Sequence, residues 1–123
     1  MKNNKKNKII CFDLDNVLCV TPKNLYKKSK PIKEAINFVN YLYNNGYYIK
    51  IFTSRFMGRN NEKVSIAKKQ GYEFTSKQLL NWGLRYNKLI FGKPSYDLFV
   101  DDKNLSFNKN WIKILKKKYR IKL

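Results

Sequence analysis

Acidic, basic and hydroxyl side chains stand at the ends of four short apolar runs in this 123-residue chain, and they are its strongest candidates for a reactive site. The runs cover residues 9–12, 47–52, 88–91 and 98–100, and each is typical of a short β-strand. In chain order, the side chains at or just beyond their ends are Asp13, Asp15, Thr53, Lys93, Asp101 and Asp102. If the strands are parallel, their carboxyl ends meet at one edge of the sheet, where ligands bind. We therefore expect these six residues on one rim.

The carboxylates in this set favour a hard metal ion. Asp13 and Asp15 are two positions apart, so a straight strand would present both on one face. The apolar run at residues 9–12 predicts a strand that is buried on both faces. Unpaired carboxylates at its end are costly, and a bound cation or a phosphate would compensate them. An oxygen-only ligand set suits Mg²⁺ rather than zinc or copper. The alternative for this stretch alone is a solvated turn, because Asp15-Asn16 is a good turn sequence.

The same set is suited to phosphoryl transfer. Lys93 and Thr53 would donate hydrogen bonds to phosphate oxygens, and charge neutralisation and positioning supply most of what this reaction needs. Asp13 could act as a nucleophile and form an aspartyl-phosphate that water then hydrolyses. The chain has no histidine, so a histidine base, triad or metal ligand is excluded.

Helical patterns separate the runs. We predict a helix that begins near Pro31 and ends before Gly46. A second helix, capped by Asn60 or Asn61, should run to about Gln70 and stop at Gly71, and a short one should begin at Thr75 and end at Gly83. A closing amphipathic helix with a basic face is expected around residues 111–118. Alternating strands and helices predict an α/β fold, in which a mostly parallel sheet is sandwiched by helices. Residues 1–123 should form one domain.

Composition restricts the partners. The formal charge of +19, from 27 Lys and Arg against 8 acids, suggests nucleic acid, a membrane surface or phosphorylated metabolites. The alternative explanation for this charge is a general compositional bias of the chain toward Lys, Asn and Ile. Cys11, which is expected to be buried, and Cys19 have no metal-ligand spacing, and a disulfide framework is not expected, which favours a reducing compartment. Asp13 interrupts the apolar run after the basic residues 2–8 too early for a signal peptide or a membrane helix, so we expect a cytoplasmic protein without a membrane partner.

The four strand-end motifs resemble those of the haloacid dehalogenase (HAD) superfamily of phosphatases. The matching residues, which span most of the chain, are Asp13-Leu14-Asp15-Asn16-Val17, Thr53, Lys93 and Asp101-Asp102. Val17 stands where many members have Thr. The resemblance implies a three-layer Rossmann-like core and a Mg²⁺-dependent hydrolase of phosphomonoesters.

The resemblance also implies a role for each residue. Asp13 would be the nucleophile and a metal ligand, and Asp15 the general acid, with its backbone carbonyl on Mg²⁺. Thr53 would hydrogen-bond the phosphoryl group, and Lys93 would neutralise it and orient Asp13. Asp101 would bind the metal, with Asp102 beside it directly or through water.

Three further stretches resemble a small capless branch of the superfamily that is often found with capsule and surface-polysaccharide synthesis. They are residues 52–59, 78–83 and 92–103. The substrate would then be a sugar phosphate or a related activated-sugar intermediate. Ser54, Arg55 and Arg59 are candidate substrate contacts, and the alternative for the two arginines is a solvated loop.

A cap domain is not expected, because the gap after the first motif holds only a short flap at residues 19–31. An open site would accept a bulky substrate or use a neighbouring subunit of a homo-oligomer as a lid. Two other functions stay open: a phosphatase for polynucleotide ends that uses the basic surface, and a non-catalytic binding module. Against the first, the aromatic residues form no obvious stacking platform in the sequence.

Overall fold

Three parallel strands form the sheet that carries the candidate site. The computed structural model describes residues 8–122, so the basic residues 2–7 lie outside the described part. The strands are β1 (Ile9–Asp13), β2 (Cys19–Val20), β3 (Lys30–Pro31), β4 (Tyr48–Thr53) and β5 (Lys88–Phe91). The helices are α1 (Lys33–Asn44), α2 (Val64–Asn81) and α3 (Trp111–Lys118), with short 3₁₀ helices at Tyr26–Lys28 and Gly58–Asn60.

Parallel strands need a crossover connection, and a helix supplies it at both connections of this sheet. α1 leads from β1 to β4, and α2 leads from β4 to β5. The register pairs Ile10 with Ile49 and Ile51 with Leu89, so β4 is the central strand of the three. The α/β fold with a parallel sheet is confirmed.

β1 is an edge strand among the described residues, and the prediction that residues 9–12 are buried on both faces is wrong. Ile9 is 59% exposed and Cys11 is also exposed, whereas Phe12 is buried. Within residues 8–122, β1 pairs only with β4, which leaves its outer edge without a strand. The four-residue apolar run therefore forms the margin of the sheet rather than its centre.

The fourth predicted strand, residues 98–100, is not formed, which corrects the expected sheet. Leu98 and Val100 are 80% and 87% exposed. A three-residue run makes few ladder hydrogen bonds, and here Phe99 packs near Lys93 and Tyr96 instead of joining the sheet.

The predicted break at Gly71 is also wrong, because α2 runs without interruption from Val64 to Asn81. A Cβ at Gly71 would lie 2.4 and 2.6 Å from the Phe56 ring and 2.9 Å from the Phe91 ring. The glycine is therefore required by tertiary packing, although glycine inside a helix costs about 1 kcal/mol relative to alanine.

Gly71→Ala is expected to destabilise the protein by about 1–3 kcal/mol, because overpacking outweighs the gain in helix propensity. Urea unfolding followed by circular dichroism measures this change. Gly58→Ala is the matched control, since among residues 8–122 a Cβ there meets only Ser95 Oγ, at 3.7 Å. Equal stability of the two variants would contradict the packing account.

Helices α1 and α3 lie where the sequence predicts them, and they close the hydrophobic core. Trp111 of α3 packs its ring against Phe12 of β1 and Phe38 of α1, at centroid distances of 5.7 and 6.0 Å. This packing holds α3, which follows the long loop of residues 92–110, against β1 and α1. No helix in residues 8–122 is long and apolar enough to cross a membrane.

Candidate functional site

Asp13 and Lys93 meet at the carboxyl end of the parallel sheet. Lys93 Nζ lies 3.3 Å from Asp13 Oδ2, and the backbone N–H of Leu14 donates to Asp13 Oδ1 at 2.9 Å. Gly92, with a φ of 109°, turns the chain after β5, and the N–H of Lys93 donates to the carbonyl of Thr53 at 3.1 Å. The ends of β1, β4 and β5 together therefore fix this ion pair.

The surroundings change the pKa of both groups. Burial raises the pKa of Asp13, and the nearby Lys93 and the hydrogen bond from Leu14 only partly counter it. Burial alone would lower the pKa of Lys93, but the hydrogen bond with Tyr96 and the attraction of Asp13 reverse this, so its pKa is raised. The lysine is thus held as a cation beside the carboxyl group.

Asp15 is engaged by Arg55 rather than by Lys93. The guanidinium donates from Nη2 to Oδ1 at 2.8 Å and from Nε to Oδ2 at 3.0 Å, while Thr21 Oγ1 donates to Oδ1 at 2.6 Å. The Arg55 side chain is fully buried. The solvated-loop alternative for Arg55 is therefore wrong, and its charge is used inside the protein.

Arg55 joins four parts of the chain. Besides Asp15, its Nη1 donates to Thr75 Oγ1 and Gln78 Oε1 of α2, at 3.2 and 2.7 Å. Its Nη2 donates to Ser29 Oγ of the flap at 3.3 Å. Gln78 also donates to the backbone carbonyl of Tyr26 at 2.8 Å. The flap, the end of β1, the loop after β4 and α2 thus share one buried polar network.

Arg59 lies over aromatic rings at the flap tip. Its guanidinium is 4.6 Å from the Phe56 ring centroid and 5.5 Å from that of Tyr26, and those two rings are 5.0 Å apart. Phe56 has a φ of 66°, which is unusual for a bulky residue. This backbone places the side chains of Arg55 and Phe56 in different surroundings: Arg55 contacts the polar network, and Phe56 packs over Gly71.

Thr53 and Ser54 lie between these two clusters. Thr53 is fully buried, and its hydroxyl oxygen accepts from the backbone N–H of Arg55 at 3.1 Å. Ser54 is half-buried, and its carbonyl accepts from the N–H of Met57 at 3.0 Å. Thr53 therefore supports the loop backbone in this arrangement.

Asp101 and Asp102 do not join Asp13 and Asp15. Both are exposed, and Asp101 Oδ1 accepts from the backbone N–H of Lys103 at 3.4 Å. Across residues 8–122, no group of three His, Cys, Asp or Glu side chains is close enough to hold a metal ion. The oxygens of Asp13 and Asp15 face Lys93, Arg55 and Thr21 instead. The donor set present does not fit a three-carboxylate magnesium site.

Sequence reasoning missed two groups of residues around the site. Thr21, Ser29, Thr75 and Gln78 complete the Arg55 network, and their polar side chains at spaced positions gave no local signal. Tyr96 and Phe99 flank Lys93, with ring centroids 5.1 and 5.7 Å from its Nζ. Two aromatic residues, three and six positions after Lys93, were the sequence signal that could have identified this second group.

Comparison with known proteins supports the fold. No protein-family model and no curated protein matches the chain. The chain is similar to a crystal structure of a target protein from Vibrio cholerae, with a TM-score of 0.74 and 22% identity, over 91% of this chain and 98% of that one. It is also similar to a chain in the structure of the Pnkp1/Rnl/Hen1 complex, with a TM-score of 0.53 and 16% identity, over 96% of this chain but 36% of that one. At such identities the likeness shows the α/β fold alone.

Proposed function

We propose that this protein is a HAD-type phosphatase, a hydrolase of phosphomonoesters that uses Asp13 as its nucleophile. The observation that carries the proposal is the pairing of Asp13 with Lys93 at the carboxyl end of a parallel sheet. Open α/β sheets bind ligands at this edge. The four sequence motifs that resemble this family support the proposal, and the likeness of fold to two solved structures agrees with its α/β core.

In the proposed reaction an oxygen of Asp13 attacks the phosphorus, and the bond from phosphorus to the leaving oxygen breaks. Lys93 neutralises charge on the phosphoryl oxygens. As the general acid, Asp15 first takes a proton from solvent at Oδ2, to which only Arg55 Nε donates within residues 8–122. It gives this proton to the leaving oxygen and regains one from the water that attacks the aspartyl-phosphate. Water then hydrolyses the aspartyl-phosphate, which releases phosphate and restores Asp13.

Mg²⁺ dependence is part of the proposal because the resemblance implies it. No step above passes through the metal, since the described residues do not assemble its ligands. For Asp101 and Asp102 to bind the metal together with Asp13, the loop of residues 92–110 would have to bring them to that carboxyl group.

For the substrate, we propose a sugar phosphate or a related intermediate of surface polysaccharide synthesis, acted on in the cytoplasm. A neighbouring subunit of a homo-oligomer would supply the lid. A polynucleotide-end phosphatase is the second candidate. The charge of +19 and the exposed lysines of α3, Lys113, Lys117 and Lys118, favour it through contacts with backbone phosphates.

The test is phosphate release from a panel of sugar phosphates, nucleotides and a 3′-phosphorylated oligonucleotide, with Mg²⁺ or with EDTA. We expect release that requires Mg²⁺. Preference for a sugar phosphate with little salt dependence would support the first substrate, whereas a steep loss of oligonucleotide turnover with salt would support the second. If no substrate released phosphate, the result would contradict the proposed phosphatase activity and favour a non-catalytic binding module.

A further inference from the structure

We propose that Tyr96 and Phe99 form a stacking surface beside Lys93 that selects phosphomonoesters whose leaving group carries a planar ring. This inference deepens the proposed function, on which it rests for the identity of the phosphate site. It names a chemical feature of the substrate that neither the motifs nor the fold specify, and it favours the second candidate, a polynucleotide end whose leaving nucleoside carries a base, over a plain sugar phosphate.

The two rings are held against the ammonium group that faces Asp13. Their centroids are 5.1 Å apart with an interplanar angle of 35°, and both lie within 6 Å of Lys93 Nζ. The lysine side chain itself is only 12% exposed. Cation–π attraction is stronger when the cation is partly desolvated, so the lysine and the rings position one another.

The rings also offer free surface. Tyr96 is 46% exposed and Phe99 is 38% exposed, although both are large aromatic side chains next to a charged site. A ring placed over exposed aromatic faces gains stacking and buries apolar area. A phosphate bound at Lys93 would bring its leaving group within reach of these faces, because the same side chain contacts both rings and Asp13.

The aromatic pair at the flap does not offer the same surface. The Tyr26 ring has guanidinium groups at 4.8 and 5.5 Å, from Arg55 and Arg59, and Arg59 also covers Phe56. Those two rings are half-buried and carry two guanidinium groups, whereas Tyr96 and Phe99 are exposed and share one ammonium group. Tyr96 and Phe99 are therefore the pair suited to a substrate ring.

The experiment measures binding rather than turnover, so it does not depend on catalysis. Phenylphosphonate and methylphosphonate, which cannot be hydrolysed, are titrated calorimetrically into the full chain in Mg²⁺ buffer. Wild type should bind phenylphosphonate about tenfold more tightly than methylphosphonate. The ratio should fall to about two in Phe99→Leu and in Tyr96→Leu, because leucine keeps apolar bulk but has no ring face.

Phe107→Leu is the matched control, since Phe107 is 58% exposed in the same loop. An unchanged ratio there, together with a loss in the two ring variants, supports the proposal. Equal binding of both phosphonates to wild type, no binding of either, or a ratio unaffected by both variants overturns it. If the protein prefers phenylphosphonate but releases no phosphate from the substrate panel, the proposed hydrolase activity is wrong and the proposed stacking surface is supported.

Discussion

Asp13→Asn is expected to reduce phosphate release at least about 1,000-fold while the fold is preserved. The amide cannot attack phosphorus as a carboxylate does, so the covalent intermediate is lost. Asparagine keeps the carbonyl oxygen that accepts from the N–H of Leu14, and it is nearly the same size as aspartate. The change therefore removes the nucleophile and the ion pair with Lys93 but little of the packing.

The measurement is the initial rate of phosphate release with the best substrate of the panel, alongside thermal unfolding by circular dichroism. Asp97→Asn makes the same chemical change at an exposed carboxyl group outside the proposed machinery. It should leave the rate within about twofold of wild type, as most surface substitutions do little. Retained turnover in Asp13→Asn, with Asp97→Asn also active, would show that Asp13 is not the nucleophile.

Arg55→Met should lower the free energy of unfolding by about 3–5 kcal/mol. Removal of one partner from a buried ion pair leaves the other without compensation, and here the Asp15 carboxylate is only 21% exposed. Thr75, Gln78 and Ser29 also lose a donor. Such a loss is a large part of the 5–15 kcal/mol typical of a whole domain. Urea unfolding measures it.

Arg59→Met is the matched control, because Arg59 is exposed and covers rings without a described ion pair. Its cost should be below about 1 kcal/mol. Arg55→Lys keeps a charge but cannot form the two-pronged contact, so we expect an intermediate loss and a variant that still folds. If Arg55→Lys and Arg59→Met unfold at the same urea concentration as wild type, the network adds no stability.

A double-variant cycle with Asp15→Asn isolates the pair. Removal of both charges should cost less than the sum of the single changes, since neither partner is then left buried alone. Strict additivity would show that the two side chains do not act together.

Much of the scaffold could be predicted from local patterns. The apolar runs at 47–52 and 88–91 correspond to β4 and β5, and the helical spacing after Pro31 corresponds to α1. These predictions succeed because strand and helix periodicity are properties of a few consecutive residues. The parallel order followed from the alternation of elements, and that order brought Asp13 and Lys93 to one rim.

The composition of the site depended on partners distant along the chain. Arg55 and Asp15 are 40 residues apart, and the guanidinium is buried because α2 and the flap supply its remaining acceptors. Gly71 has the local signature of a helix end, yet α2 continues through it. Glycine is required at this position because the Phe56 ring occupies the space of a Cβ. No local pattern contains this information.

The sequence by itself determined β1, β4 and β5, the α/β order and the side chains at the ends of these strands, because these follow from short-range periodicity and from the geometry of parallel sheets. Only the tertiary structure decided which of these residues meet. It pairs Asp13 with Lys93, commits Asp15 to Arg55, and leaves Asp101 apart, since residues 98–100 do not join the sheet. Side-chain partners depend on packing between elements, which local sequence does not encode.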